Sequence, residues 1–251
     1  MLYEEQAQKE LKGWQKKMMR SPSLLDKLSK RMQVKMNSYI PEKVHKAITV
    51  TIKQMVRGVL FGASYTTKEQ PASNSLLDIE EMVLRRVQFY KNAAAAEGAA
   101  TGAGGILLGL VDFPVLLGMK LKLLFDIAAF YGQDIKDYKE RLFLLHIFQL
   151  AFSSQQHRKK VFEQIVDWDK KKQFLPDDIH QFDWRQFQQE YRDYIDLAKM
   201  AQLIPGIGAV VGFVVNYRLI KKLGYTAMNA YRMRYFEKKL LPINVADQAH
   251  H

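Results

Sequence analysis

Residues 97–114 read Glu97-Gly-Ala-Ala-Thr-Gly-Ala-Gly-Gly-Ile-Leu-Leu-Gly-Leu-Val-Asp-Phe-Pro114, and this stretch decides the fold. With its flanks, Ala93 to Gly132, it holds half of the chain's fourteen glycines in a mostly apolar setting. A glycine inside a helix costs about 1 kcal/mol relative to alanine, so a sequence that keeps several must gain from bare backbone. Pairs spaced four apart predict close packing of a second helix. The predicted packing positions here are Gly98, Gly102, Gly105 and Gly109.

A similar segment, Met200 to Tyr217, lies near the other end of the chain and places Gly208 and Gly212 four apart. Pro114 and Pro205 interrupt the two segments, so each is predicted to form two short helices. The charge-free runs 98–111, 113–119 and 200–217 fall short of, or barely reach, the roughly 20 apolar residues that span a bilayer. A straight transmembrane helix is therefore disfavoured. A helical hairpin buried in a soluble core, inserted shallowly or re-entrant in a membrane stays open.

The composition predicts one large domain over residues 1–251. The chain has 251 residues with 48% hydrophobic content, enough for a substantial core. Residues 1–65 are predicted to form basic amphipathic helices, and 74–241 the glycine-rich apolar core. No cysteine is present, which excludes disulfides, thiolate nucleophiles and cysteine zinc sites. The first residues show no signal-peptide pattern, so we expect a cytoplasmic protein.

The net charge of +12 is concentrated at the two ends of the chain. Residues 1–70 hold 14 bases and 6 acids, a balance of +8, and residues 215–251 hold 7 bases and 2 acids, a balance of +5. The middle, with 17 bases and 18 acids, is neutral within one charge. Polybasic segments are attracted to anionic lipid surfaces and equally to nucleic acid phosphates, while a solvated basic face explains the same charge without any partner.

Apolar residues recur at helical spacing throughout, and strand alternation is absent, so we predict an all-α fold. Gly132 is a natural helix C-terminal residue, and Asp134 can cap the helix after it. The predicted helices cover Tyr3 to Met18, Leu24 to Tyr39, Val44 to Val59, Leu76 to Asn92 and onward, Pro114 to Tyr131, Ile135 to Phe152, the surroundings of 158–160, Trp184 to Met200, and Ile207 to Leu240.

The first of these helices combines an apolar stripe with a basic face. It can lie on a membrane with Trp14 at headgroup depth, or it can pack across the domain. The predicted membrane-contact residues lie at the two basic ends of the chain: Trp14, Lys16, Lys17, Arg20, Arg218, Lys221 and Lys222.

The combination of two motifs resembles the EcsC family. The first runs from Thr101-Gly102-Ala103-Gly104-Gly105 through Gly109-Leu110-Val111-Asp112-Phe113-Pro114 to Tyr131-Gly132, and the second is Ile204-Pro205-Gly206-Ile207-Gly208-Ala209 with Asn216. The likeness is densest over 93–150 and 198–235. It implies a bacterial protein of unassigned biochemical activity, whose family's founding member is encoded beside two components of an ABC transporter. It carries over no catalytic residues.

Four ionisable residues within or beside the apolar centre are candidates for an active site: Glu97, Asp112, Asp126 and His146. Buried carboxylates are costly unless paired, and that cost is often tolerated where a ligand binds. Each also has a structural explanation. Asp112 can cap a helix that restarts after Pro114, Asp126 can pair with Lys122, Glu97 can bind a terminal base, and His146 can be a core histidine. Asn216 can hydrogen-bond backbone across helices.

Other chemistries lack their motifs. No paired histidine and carboxylate pattern occurs for a metal, no Gly-Lys-Ser/Thr ending for a phosphate loop and no serine elbow for a hydrolase, so we expect no metal and no cofactor. Nucleic acid is an unlikely partner because no recognition motif accompanies the interleaved aromatic and basic residues of the last helix. These residues fit an interfacial belt equally well: Tyr225, Tyr231, Arg232, Arg234 and Tyr235.

The sequence thus predicts an all-helical accessory or adaptor protein at the inner face of the cell membrane. Its basic ends would meet anionic headgroups or a membrane protein such as an ABC transporter. The alternative is a helical enzyme or lipid-binding protein in which two of the four candidate side chains converge in a glycine-lined cleft.

Overall fold

A computed structural model describes residues 2–21, 42–61, 75–101, 105–153, 157–181, 183, 185 and 212–240. In these ranges the chain forms helices and no strand, which confirms the all-α class. The eight α-helices are α1 (Leu2–Met19), α2 (Glu42–Phe61), α3 (Leu76–Thr101), α4 (Gly105–Phe130), α5 (Tyr138–Phe152), α6 (Arg158–Ile165), α7 (Trp168–Lys171) and α8 (Gly212–Leu240). Two short 3₁₀ turns, Lys172–Phe174 and Ile179–Gln181, follow α7. The helices predicted over 24–39 and 184–200 lie outside the described residues.

Helix α8 lies at the centre of the bundle and contacts α1, α3, α4 and α5. Its neighbour α3 runs antiparallel to it, since Glu80 of α3 meets Arg232 of α8 while Lys91 meets Tyr217. Tyr90 of α3 meets Asp126 of α4, so α3 and α4 form an antiparallel hairpin and α4 is parallel to α8.

Helices α1 and α5 also run antiparallel to α8. Glu4 of α1 contacts Lys239 and Glu10 contacts Arg232. In α5, Glu140 lies beside Arg234 and Phe143 beside Tyr231. Residues 226–234 of α8 are therefore enclosed on all sides, whereas its N-terminal half keeps an exposed face and residues 238–240 at its end are exposed.

The apolar stripe predicted for α1 is buried, as helical spacing of its apolar residues requires. Ala7, Leu11, Trp14 and Met18 all belong to the core, and the Trp14 ring meets the edge of Phe162 in α6 with 5.4 Å between centroids. Of the two arrangements that the sequence left open for this helix, the structure has packing across the domain. None of the described helices is both long enough and apolar enough to cross a membrane.

Two helix boundaries differ from the prediction. Helix α4 continues through Pro114 without a break. Pro114 is exposed, so the carbonyl that its missing N–H leaves unpaired can be hydrated rather than forcing a break. Helix α5 begins three residues later than predicted, with Asp137 as the N-cap through a 2.8 Å hydrogen bond from Lys139 N, while Asp134 accepts from Lys136 N in the preceding turn.

The end of α4 follows the prediction made from Gly132. Its φ of +67° lies in the left-handed region. Gly132 N donates to Ala129 O at 2.9 Å, and Gln133 N donates to Ala128 O at 3.0 Å. These two bonds form a Schellman motif, which satisfies the last carbonyls of the helix and turns the chain toward α5.

The close glycine contact in the described helices lies at Gly224 of α8, a position that the sequence analysis did not select. A Cβ built there would come within 2.4 Å of Val87 Cγ2 in α3. The backbone of α8 therefore packs directly on the Val87 side chain, and this contact sets the separation of α3 and α8. The packing at the predicted positions lies outside the described part of the structure: Gly98, Gly102, Gly105, Gly109, Gly208 and Gly212.

We expect Gly224→Ala to lower the free energy of unfolding by about 1–3 kcal/mol, because a buried β-branched side chain cannot move away from the added methyl group. Urea denaturation measures this. Gly13→Ala is the matched control: nothing lies within 4 Å of a Cβ at that helical position, so the better helix former should stabilise by about 0.5–1 kcal/mol. In the double variant Gly224→Ala, Val87→Ala the two losses should be less than additive. Equal behaviour of the two glycine variants would contradict the contact.

Candidate functional site

Asp126 lies inside the α3–α4 hairpin among three partners. Lys122 Nζ donates to its Oδ1 one turn away, Tyr90 OH donates to its Oδ2 at 3.2 Å, and Arg86 Nη1 lies 3.5 Å from the same oxygen. The predicted pair with Lys122 is therefore confirmed, and α3 adds a second base and a phenol. A carboxylate held in this way links the two helices and has no need of a ligand.

His146 lies on α5 with its ring 5.7 Å from that of Trp168. The surrounding protein disfavours the imidazolium, and this desolvation, together with nearby Lys171, outweighs a hydrogen bond with Gln149 and lowers the pKa of His146 to about 4. The histidine is thus neutral at physiological pH. Asp126 and His146 do not converge, since each has its own partners on different helices, and the cleft expected for an enzyme is not formed by this pair.

The other polar candidates divide between the described and undescribed parts of the chain. The backbone of Asp112 is inside α4, so it does not cap a restarted helix, but its side chain and that of Glu97 lie outside the described part. Asn216 is buried, and among the described residues its Oδ1 has no hydrogen-bond partner. No group of three metal-ligating side chains occurs in the described ranges.

A network of buried charges surrounds Arg232 of α8. Its Nε and Nη2 donate to the two carboxylate oxygens of Glu80 at 2.6 and 2.5 Å, and its Nη1 donates to Glu10 at 3.0 Å. Tyr3 and Tyr131 donate their hydroxyls to Glu80 at 2.5 and 3.0 Å. Burial and the hydrogen bond to Glu80 raise the pKa of Tyr3 to about 12. Four helices, α1, α3, α8 and the end of α4, are thereby fastened at one point.

A second network surrounds Arg234, two residues further along α8. The guanidinium donates in bidentate fashion to Glu140 at 2.6 and 2.7 Å and to Asp169 at 2.7 and 2.9 Å, and lies 4.8 Å from the Phe143 ring centroid. Burial alone would raise the pKa of Asp169, but Arg234 and Lys172 outweigh it and lower that pKa to about 2. Helix α7 is thus held against α5 and α8.

These networks correct the interpretation of the last helix as an aromatic and basic belt. Tyr231, Arg232 and Arg234 are all buried, so they meet neither nucleic acid nor lipid in this structure, while Tyr225 remains exposed. The sequence carried a usable signal, because Glu80 interrupts the apolar stripe of α3 and Arg234 interrupts that of α8. A charge on an apolar stripe predicts a buried partner, but it does not say which helix supplies that partner.

The outer surface carries six of the seven residues that the sequence marked for membrane contact. Trp14 is 5% exposed and belongs to the core, so its side chain does not lie on the surface of the packed bundle. The remaining six residues are exposed, and we call them the basic collar: Lys16, Lys17, Arg20, Arg218, Lys221 and Lys222.

The collar lies toward one end of the bundle. Because α1 and α8 are antiparallel, the C-terminal half of α1 extends toward the N-terminal half of α8. The same end receives the last turns of α3 and the first turns of α4, since Lys91 of α3 lies over the Tyr217 ring, 4.1 Å from its centroid, with ten residues of α3 still to follow. Residues 98–101, 105–111 and 212–217 contain no charged side chain, and we call this the apolar end.

The fold and its surface define a class of α-helical proteins: a central helix tied in by buried arginine–carboxylate pairs, with an apolar end bordered by bases. The chain belongs to the EcsC protein family, whose sequence model matches residues 5–236. The resemblance of the glycine and proline motifs to this family is thereby confirmed.

Two Bacillus subtilis (strain 168) proteins are similar to the chain over most of both lengths. Protein EcsC is 45% identical, covering 88% of this chain and 91% of its own. Uncharacterized protein YdbA is 28% identical, covering 92% of each chain. No solved structure is significantly similar.

We expect Arg232→Met to lower the free energy of unfolding by about 3–5 kcal/mol, because Glu80 is left buried without its counter-charge. Adding Glu80→Gln should recover part of the loss, since the remaining amide carries no charge. Arg85→Met is the control on α3: its pair with Glu81 is exposed and contributes at most about 0.5 kcal/mol. Urea denaturation separates the two. Equal losses at Arg232 and Arg85 would contradict the role given to the buried pair.

The lowered pKa of His146 predicts a pH dependence of stability. Its folded pKa of about 4 lies below the unfolded value of 6.5, so the unfolded chain binds more protons between these two values and stability falls as the pH falls. Between pH 7 and pH 5 this group should remove about 2 kcal/mol from the free energy of unfolding. His146→Leu should lose less over the same interval. An identical slope in both proteins would show that His146 is not the titrating group.

Proposed function

We propose that this protein is a peripheral membrane accessory protein whose apolar end faces a membrane and whose basic collar binds anionic headgroups. The observation that carries the proposal is the position of the collar directly behind the apolar end. In a membrane surface, the phosphates lie outside the hydrocarbon layer. A bundle that points its apolar end at the hydrocarbon therefore places the bases, one to several turns behind that end, at the depth of the phosphates.

The distribution of ion pairs supports this role. The acids Glu4 and Glu10 of α1 are engaged by Lys239 and Arg232 of α8. Lys16 and Lys17 of the same helix, and Arg20 just after its end, have no ion pair among the described residues. Helix α1 therefore presents net positive charge to solvent on its C-terminal half, although its N-terminal half is acidic. Bases left unpaired in this way are available to lipid phosphates.

Tyr217 supports the proposed boundary between the apolar end, which would face hydrocarbon, and the bases, which would lie among the headgroups. It lies between the apolar end and Arg218, and its ring is covered by the ammonium of Lys91. Tyrosine is enriched where apolar and headgroup layers meet, because its ring is apolar and its hydroxyl is polar. Gln88 and Asn92, on either side of Lys91 in the sequence, continue the polar boundary on α3.

The second part of the proposal concerns the partner at that membrane. The family resemblance implies an ABC transporter, and an accessory protein with a basic collar would be held beside such a transporter by the surrounding lipid. Detergent extraction and affinity purification of the tagged protein from its own host, with the transporter subunits as the measured species, tests this part. Their absence from the purified material would contradict it.

We expect the purified protein to co-sediment with vesicles that contain anionic phospholipid, and much less with neutral vesicles. Salt should weaken the binding because exposed charges are screened. Lys16→Glu with Lys17→Glu should weaken it about 30-fold or more, at about 1 kcal/mol for each base removed.

The matched control is Lys136→Glu with Lys238→Glu. It makes the same change in net charge at two exposed positions of the opposite end of the bundle. This control should retain most of the binding. Equal weakening by the two double variants would contradict an oriented collar, and binding that ignores both lipid charge and salt would contradict the proposed function.

A further inference from the structure

Helix α1 is built as two halves with different attachments. Its N-terminal half is held by polar contacts: Tyr3 to Glu80, Glu4 to Lys239 and Tyr235, and Glu10 to Arg232. The C-terminal half is held by apolar packing alone among the described residues, chiefly through the buried rings of Trp14 and Phe162.

The stripe that packs α1 onto the bundle is also the face that an interfacial helix would bury. Leu11, Trp14 and Met18 lie on one side, and Lys12, Lys16 and Lys17 are exposed around them. Such a helix lies in the membrane surface with its apolar face at the acyl boundary and its bases among the headgroups. Moving α1 from the bundle to a membrane therefore exchanges one apolar environment for another.

The buried charge left behind, that of Arg232, would remain paired. Both carboxylate oxygens of Glu80 accept hydrogen bonds from Arg232, and Tyr131 also donates to Glu80. Arg232 therefore keeps a carboxylate partner when Glu10 is removed. In the Arg234 network, departure of α7 would likewise leave the guanidinium with one carboxylate, Glu140. Asp169, however, accepts two hydrogen bonds from Arg234 and is shared with Lys172, whereas Glu10 accepts a single hydrogen bond from Arg232. Of the two elements fastened by these networks, α1 is therefore the more weakly attached.

The docked state has its own reason to persist in water. Release without a membrane would expose the stripe of α1 and the face it covers, including Phe162. An apolar surface of that kind is unfavourable in water. Anionic lipid is therefore needed to shift the balance, because it alone offers a new site for both the stripe and the bases.

We propose that α1 is a releasable membrane anchor: it is docked on α8 and α6 in solution and transfers to the surface of an anionic membrane. The inference rests on the proposed function and adds its regulation. The ion pair between Glu10 and Arg232 acts as the latch, because it holds the acidic half while contributing nothing to the lipid-bound state.

The absence of native cysteine allows the transfer to be measured with two introduced spin labels. Gly13→Cys on α1 and Leu84→Cys on α3 are exposed, uncharged positions on the two elements. Electron double resonance on vesicles containing anionic phospholipid should lengthen this distance by about one helix diameter, roughly 10 Å, or more. The reference pair Leu84→Cys, Phe174→Cys should not change.

The outcomes separate the two proposals. A vesicle-bound protein whose Gly13–Leu84 distance is unchanged overturns the release of α1 and leaves the proposed function intact. Failure to bind anionic vesicles at all overturns both. A change in the reference pair as well means general unfolding on the vesicle, and it overturns the release of α1 as a discrete step.

The latch is tested by two substitutions with the same change in charge. Glu10→Gln removes the ion pair with Arg232, whereas Glu5→Gln alters an exposed acid on the same helix. Glu10→Gln should lower the lipid concentration for half-maximal binding by about 2–5-fold beyond the effect of Glu5→Gln. Equal effects would overturn the latch.

Discussion

Two arginines of α8 enter the interior of the bundle, and the arrangement of the other helices depends on neutralising them. A buried guanidinium is tolerated only with a well-aligned carboxylate, and both Arg232 and Arg234 have one in bidentate geometry. Glu80 comes from α3 and Glu140 from α5, on opposite sides of α8. The two pairs therefore fix the rotation of α8 about its own axis, which apolar packing alone would specify less strictly.

The same requirement explains how α1 and α7 are attached. Each contributes a second carboxylate, Glu10 or Asp169, to a guanidinium that already has one. The difference lies in the surroundings. Asp169 is shared with Lys172 and lies in a segment also held by Tyr138 and Lys139, whereas Glu10 is 41% exposed and Lys16 and Lys17 of its helix have no ion pair among the described residues. The attachment of α7 is therefore the firmer of the two.

The buried carboxylates Asp126, Glu80 and Glu140 each join separate helices. Asp126 joins α3 to α4, Glu80 joins four helices, and Glu140 with Asp169 joins three more elements. None of these carboxylates faces a cleft in company with a free acid or base. The charge behind the uncharged apolar end is positive and lies on the surface. This arrangement is the reason for proposing a lipid surface, rather than a small molecule, as the binding partner.

The sequence by itself determined the helical class, the stripe of α1, the C-terminal turn at Gly132 and the pairing of Lys122 with Asp126, because all of these depend on residues within a few positions of each other. It also determined the family, through motifs that are local runs. It failed at Pro114, where the proline is exposed and its freed carbonyl can be hydrated, and it left open the surroundings of Trp14, which are set by Phe162, 148 positions away. Only the tertiary structure decided that Gly224 meets Val87 and that Glu80 meets Arg232. The spacing of residues shows which face of a helix carries the apolar, charged or glycine positions, but not which other helix covers that face.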